Sequence, residues 1–391
     1  MEKKNKVSIV TLLVVAGAFV SYTVGSGFAS GNEVLQFFGS WGLSGSILAI
    51  AGAVFITLIS CICIYSIGSK VSFEKTSEAY NYLGGKYLGA FFQFFTFISL
   101  FGTFMIMFSG AGSVLAQHWD IPQWVGSVIM GVIAGIVVLG GFDTVEKVLG
   151  YAGLVLLGYI LVFGVISLFN PSSDFSQASE VTKAVEDGLI WQANLFALPP
   201  FSWIPGLSEA NFGFLEGMLY AALCLVNGVP FYLALGKKVN TIPQATGSAV
   251  LTTTAFYGCV AFVLIIIMAN FNSVINPVTN EMQPLPVLAA VDSIWPAGGW
   301  TYVIIIFIGI FTTTTGFLWV LQEWIFPGQN RTKKTNLFIV GMILIGIFLG
   351  SVLPFSALIN FIFPISGVVG LIITVCLIVR MVQLNKKGNR E

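Results

Sequence analysis

Along most of this chain the apolar residues do not alternate with polar ones but fill near-continuous runs, the pattern of helices that are apolar on every face. About 20 mostly apolar residues are needed to cross a bilayer as a helix. By that rule the chain predicts ten spans, near residues 8–38, 43–68, 88–116, 122–141, 147–169, 212–236, 246–270, 298–326, 336–353 and 361–382. Five precede a long polar-to-mixed segment, 170–211, and five follow it, so the expected organisation is a first five-helix repeat (1–169), an external segment (170–211) and a second repeat (212–391). That segment holds an amphipathic stretch from Val181 to Phe196 and then Leu198-Pro199-Pro200. A second long connection, 271–297, carries Pro277, Pro284, Pro286 and Pro296 around an apolar stretch from Leu285 to Ile294. Each is long enough to fold over an external vestibule or to serve as a solvated linker.

Charge fixes the expected orientation. With the N-terminus in the cytoplasm, internal connections hold Lys3, Lys4, Lys6, Lys70, Lys75, Lys86, Lys147, Lys237, Lys238, Arg331, Lys333, Lys334, Arg380, Lys386, Lys387 and Arg390, leaving Lys183 as the external one of the 17 basic residues. Such asymmetry is what the positive-inside rule requires, and one missed or invented span would destroy it. Both termini are therefore expected inside. Trp41, Trp119, Trp124, Trp191, Trp203, Trp295 and Trp300 fall at or beyond external span ends, as interfacial anchors should.

Composition agrees with a bundle immersed in lipid. Of 391 residues 56% are hydrophobic and 9% charged, with a mean hydropathy of +0.92, whereas soluble domains carry about 25% charged residues. The 43 glycines suit close helix packing in a membrane. A net charge of zero points to neither nucleic acid nor a polyanion as partner. Cys61, Cys63, Cys224, Cys259 and Cys376 lie inside apolar runs and read as packing residues. Basic residues at Met1 to Lys6 precede an apolar stretch that runs to about Phe38, too long for a signal peptide and read as a retained first span.

Two spans are interrupted. The first contains Ser21-Tyr-Thr-Val24-Gly25-Ser26-Gly27-Phe28-Ala-Ser30-Gly31-Asn32-Glu33, where glycines and small polar residues at mid-membrane lower helix propensity. Irregular backbone at that depth is tolerated only where it lines a cavity or site. The sixth contains Asn227-Gly228-Val229-Pro230, where the proline removes an amide donor. Breaks at matching positions of two halves mark the binding site of an inverted-repeat transporter.

Ten spans broken in the first and sixth resemble the LeuT-type fold of the amino acid–polyamine–cation superfamily. Gly25-Ser26-Gly27-Phe28 resembles the Gly-Ser-Gly-Ile-Phe signature of its amino acid transporters. The string from Val24 through Gly31-Asn32-Glu33 to Phe38, with Phe363-Pro364-Ile-Ser-Gly367, is similar to bacterial YkvI-type membrane proteins. The resemblance implies a secondary active transporter in the cell membrane, in which freed amides of Ser26 and Gly27 beside Gly25 bind a substrate carboxylate. Val226, Asn227 and Gly228 would then meet the amino group. The physical basis is the positive end of a half-helix and its unpaired N–H groups. Ser30, Phe104 and Phe108 are further candidates for the pocket wall. No lysine or arginine lies at mid-membrane, so a small zwitterionic solute suits the site better than an anion.

The eighth span carries Thr312-Thr313-Thr314-Thr315. Four successive residues sweep about 300° of a helix, so one hydroxyl must face the first span. The resemblance implies a sodium site, and the spacing from Gly309 favours Thr312 and Thr313 with the carbonyls of Ser21 and Val24. The same hydroxyls also suit bonding back to i−4 carbonyls. Sodium is expected as coupling ion, with no cofactor. Glu33, in register with Ser26 and Ser30 at i, i+4, i+7 on one helix face, reads as proton carrier, cation ligand or gate, or as a group high in a wet vestibule. Glu216 reads as interfacial and the single histidine, His118, as a surface residue. No nucleotide loop, zinc spacing or Ser/His/Asp set is present, so an enzyme is not expected. A solute sensor resembling the membrane subunits of spore germinant receptors, a channel and a proton-coupled carrier are the competing readings.

Overall fold

The computed structural model describes residues 8–73, 76–140, 142–170, 173–197, 209–327, 329 and 332–388. Lys3, Lys4, Lys6, Lys75, Pro199, Pro200, Trp203, Arg331 and Arg390, which figure in the expectations above, lie outside the described residues.

Among the described residues the fold is nearly all helical. In chain order the helices are α1 (Ile9–Thr23), α2 (Ser26–Ser30), α3 (Asn32–Phe37), α4 (Gly42–Lys70), α5 (Thr76–Trp119), α6 (Gln123–Leu139) and α7 (Phe142–Phe169). They continue as α8 (Ala178–Glu186), α9 (Glu209–Val226), α10 (Val229–Gly236), α11 (Ile242–Ala269), α12 (Pro286–Ile294), α13 (Pro296–Ile325), α14 (Lys333–Val352) and α15 (Phe355–Gly388). Six helices among the described residues are long and apolar enough to cross a membrane. The pair Phe212–Val226 and Val229–Gly236, bent by 76°, makes a seventh if taken as one span. Leu43, Phe55, Phe94, Ile136, Leu337, Phe348 and Phe361 project from the outer faces at more than half exposure. Such a surface is stable against lipid and not against water. The protein is a multi-pass membrane protein.

Small residues set the spacing at the centre. A Cβ on Gly52 of α4 would lie 2.0 Å from the carbonyl oxygen of Phe214 on α9, and one on Gly217 would lie 1.9 Å from that of Ala49. The two backbones therefore touch, which is how helices associate when lipid removes the hydrophobic drive between them.

The interruptions have distinct local causes. Val24 leaves helical geometry (ψ 103°) and ends α1, and Gly25 opens α2 in an extended conformation. A second break follows at Gly31, whose φ of +80° is left-handed. The expected alignment of Ser26, Ser30 and Glu33 along one helix is thereby overturned, because Glu33 sits on α3 beyond this turn. In the sixth segment the turn falls at Asn227 and Gly228, and Pro230 lies in the first turn of α10. A proline there loses no intrahelical bond and starts a helix as readily as it ends one. Gly85, at φ +68°, divides α5 into two helices that share one run.

The described parts of both long connections fold back onto the bundle. In α12, Val287, Leu288 and Ala290 are fully buried, and Val287 packs over Gly31. Gln117 at the end of α5 both donates to the Leu285 carbonyl (3.1 Å) and accepts from its amide (2.8 Å). Beside α8, Gln192 donates to the Ser40 carbonyl at 2.9 Å, and the Ala193 amide to that of Gln36 at 3.1 Å.

Candidate functional site

Hydroxyl groups tie the two broken segments to each other. Tyr22, near the end of α1, donates to the carbonyl of Asn227 at 2.8 Å. Tyr80 donates to the neighbouring Val226 carbonyl at 3.3 Å. Thr23 donates to the Phe19 carbonyl, as a threonine one turn above a helix carbonyl can, and its oxygen lies 2.9 Å from the Tyr232 hydroxyl. Asn227 also reaches α5, its side-chain amide donating to Thr103 at 3.3 Å.

Around these contacts lies a cavity of about 60 Å³. Tyr22 and Thr23 of α1, Glu33 of α3 and Thr103 of α5 line one part of it, and Tyr220, Leu223, Cys224 and Asn227 line another. Tyr232, Phe317 of α13 and Phe363 of α15 complete the wall. Glu33 is buried, and Tyr220 donates to its Oε1 at 2.9 Å. Its Oε2 leans on Gly27, where a Cβ would come within 2.4 Å. Glycine at 27 thus gives the carboxyl its room.

Of the expected site residues, Glu33 and Asn227 line this cavity. Gly228 caps α10 beneath the Tyr232 ring. Gly25, Ser26, Gly27 and Ser30 are buried at the break without being part of the cavity wall. The Ser26 hydroxyl has no partner among the described residues and lies against Gly110 of α5, while Ser30 donates to the carbonyl of Gly27 at 2.9 Å. Phe104 and Phe108 are a correction: they are not in the cavity wall but lie behind it, in an apolar cluster with Phe317, Leu318, Met342 and Ile343, and pack on Gly346 of α14. The face of α5 turned to the break carries Thr103 and Met107 instead. Tyr22, Tyr220 and Tyr232 were not among the expected residues; their signal is a hydroxyl-bearing ring close in sequence to each break.

The threonine run is fully buried or nearly so. Thr312 donates to the Gly309 carbonyl at 2.8 Å, and Thr314 and Thr315 donate to Ile310 and Phe311, each at 2.7 Å. Thr313 alone of the four is given a bond across helices, lying 3.1 Å from both the Gly309 and the Val24 carbonyls. Ser21, three residues before Val24, is half-buried on α1. The donor set of Thr312, Thr313 and these carbonyls is all oxygen, which fits a hard cation such as sodium. No group of three or more His, Cys, Asp or Glu able to hold a metal exists among the described residues.

Two polar residues sit otherwise than expected. His118 is not a surface residue: its Nδ1 is 3.2 Å from Asp292 Oδ2, and its ring meets Trp119 and Trp300 edge-on. Glu216 is fully buried and accepts the amides of Leu195 and Phe196.

No family model matches the chain. It is similar to the membrane protein YkvI of Bacillus subtilis (strain 168), 24% identical over 358 residues that cover 91% of this chain and 92% of YkvI. Among solved structures it resembles a Na+-coupled sialic acid symporter in a substrate-bound outward-open state, with a TM-score of 0.61, 13% identity, and coverage of 95% of this chain and 78% of that one. It also resembles MhsT in complex with L-phenylalanine, with a TM-score of 0.54, 14% identity, and coverage of 93% and 88%. The chain has the LeuT-type transporter fold. Its structural neighbours are transporters and not enzymes. Within the LeuT-type fold the cavity described here lies between the two interrupted segments, where α1, α9 and α10 meet.

Proposed function

We propose that the protein is a secondary active transporter that carries a small zwitterionic solute, an amino acid or a close analogue, together with sodium by alternating access. The observation that carries this reading is the Tyr22–Asn227 hydrogen bond, which joins the two helix breaks at one cavity. Two half-helices meeting at an interrupted backbone can hold a solute and yet rock apart around it. In this reading the chain crosses the bilayer ten times as two five-helix repeats, 1–169 and 212–391, with both termini in the cytoplasm and 170–211 outside. Thr312, Thr313, Ser21 and Val24 hold the sodium, whose charge strengthens the site's hold on the solute carboxylate near the amides of Ser26 and Gly27. The sodium-coupled symporter and the phenylalanine-bound transporter among the structural neighbours support both halves of the proposal.

The test is uptake into proteoliposomes of purified protein, screened with amino acids, amines and small carboxylates. An inward sodium gradient should concentrate one solute class, and an equal potassium gradient should not. Ligand binding without counterflow would assign a sensor, and uptake that neither saturates nor concentrates would assign a channel. Buried Glu33 favours one further reading, proton coupling, in which an outside-acid gradient drives uptake without sodium.

A further inference from the structure

The cavity wall is electrostatically one-sided. Among the described residues that line it, Glu33 is the single ionisable carboxylate, and no lysine, arginine or histidine accompanies it. The rings of Tyr22, Tyr220, Tyr232, Phe317 and Phe363 make up much of the rest. The backbone acceptors that the sequence offers to a solute amino group are already engaged: the Val226 carbonyl accepts from Tyr80, that of Asn227 from Tyr22, and that of Gly228 from the Tyr232 amide. Two acceptors are less committed. One is the Glu33 carboxyl, held by Tyr220 at one oxygen and resting on Gly27 at the other. The other is the side-chain oxygen of Asn227, buried without a hydrogen-bond donor among the described residues.

A buried carboxylate needs a partner charge or donors to be stable. No basic side chain among the described residues of the wall supplies one, so a charged Glu33 takes its partner from outside the protein, and without that partner the carboxyl holds a proton. A group that satisfies a carboxylate, an amide oxygen and several π faces together is an organic ammonium, which offers up to three N–H donors and a positive charge to the rings. We propose that Glu33 and Asn227 receive the ammonium group of the transported solute, so that a protonated amine is the feature the site demands. The inference rests on the transport reading above and specifies which half of a zwitterion is recognised by a side chain.

The test uses purified protein in detergent with sodium present, by thermal shift and calorimetric titration. The probes are L-alanine, L-leucine and L-phenylalanine, their decarboxylated counterparts ethylamine, isoamylamine and phenethylamine, and the three N-acetyl amino acids. At least one amine should bind, and N-acetylation should weaken binding of the matching amino acid by at least about tenfold. Glu33→Gln should weaken every ammonium-bearing probe by about tenfold or more, and Glu33→Asp should recover part of the loss. An unchanged sodium-induced shift in Glu33→Gln shows that the variant is folded, and the wild-type comparison with N-acetyl probes stands without any variant. Equal binding of N-acetylated and free amino acids, or failure of every amine to bind wild-type protein, would overturn the proposal. Sodium-driven uptake of a solute lacking an amino group would also overturn it while leaving symport intact. Amine binding that depends on Glu33, without sodium dependence or counterflow, would uphold it and sink the symport reading.

Discussion

The hydroxyl of Thr313 lies 3.1 Å from the carbonyl of Val24, so the end of α1 and the middle of α13 meet through one threonine. Thr312, Thr314 and Thr315 bond back to their own helix, but Thr312 shares the Gly309 carbonyl with Thr313. If sodium sits between Val24 and Thr313, the four threonines should divide sharply. Thr312→Ala and Thr313→Ala should raise the half-saturating sodium concentration roughly tenfold, since a lost ligand worth about 1.4 kcal/mol is a factor of ten in affinity. Thr314→Ala and Thr315→Ala should leave it unchanged. Sodium titration by thermal shift checks this, and equal effects at all four positions would refute the assignment.

Gly31 combines left-handed backbone with a crowded side: a Cβ there would come within 2.5 Å of Val287 and 2.8 Å of Ile267. Left-handed geometry alone costs an L-residue about 1–2 kcal/mol, and the contacts add to that. Gly31→Ala should lower the thermal midpoint measurably and loosen α12 from α3. Faster proteolysis between α11 and α12 would report the loosening.

Glycines at backbone contacts should behave unlike glycines on open faces. Gly217→Ala must push α9 away from Ala49 of α4, whereas Gly258 of α11 has nothing within 4 Å of the position a Cβ would take. Gly258→Ala should be neutral or stabilise by up to about 1 kcal/mol through helix propensity. Gly217→Ala should destabilise by several times that, or prevent recovery of folded protein. Comparable midpoints for the two variants would mean that the α4–α9 contact is not close-packed.

What could be read from the chain follows from how its signals are written. Long apolar runs mark the helices because the bilayer demands length and uniform hydrophobicity together, and six helices among the described residues, seven with the bent pair, have both. The breaks at Gly25 and Asn227 show as clusters of helix-disfavouring residues. Gly31 does not, because a left-handed glycine looks the same in sequence as one that merely lets helices approach. The rotation of α5 is equally silent: a helix apolar on all sides does not announce its inner face, so the sequence alone does not separate Phe104 and Phe108 from Thr103. His118 and Asp292 lie 174 residues apart, a pairing that only folding reveals. The ring of tyrosines around Glu33 is of the same kind, assembled from α1, α9 and α10.

The expected orientation can be checked from outside. Val278, in the connection between α11 and α12, is 90% exposed, and Lys238, just past α10, is exposed as well. The native cysteines are buried or half-buried, so background labelling should be low. With both termini inside, Val278→Cys should react with an impermeant maleimide on intact cells, and Lys238→Cys only after permeabilisation. The reverse pattern would invert the topology.

The contact between α12 and the end of α5 should give stability a defined pH dependence. Burial raises Asp292 above the usual carboxylate range, and the attraction of His118 offsets only part of that. The folded protein therefore holds the Asp292 proton more tightly than the unfolded chain does. Linkage then requires that the contribution be fully present below the unfolded value and be lost as pH rises through the raised folded value. Relative to wild type, Asp292→Asn should gain in thermal midpoint as pH climbs through that window, because the amide is never charged. If wild type instead gains on the variant over the same range, the His118 pair outweighs burial and the direction assigned to Asp292 is reversed.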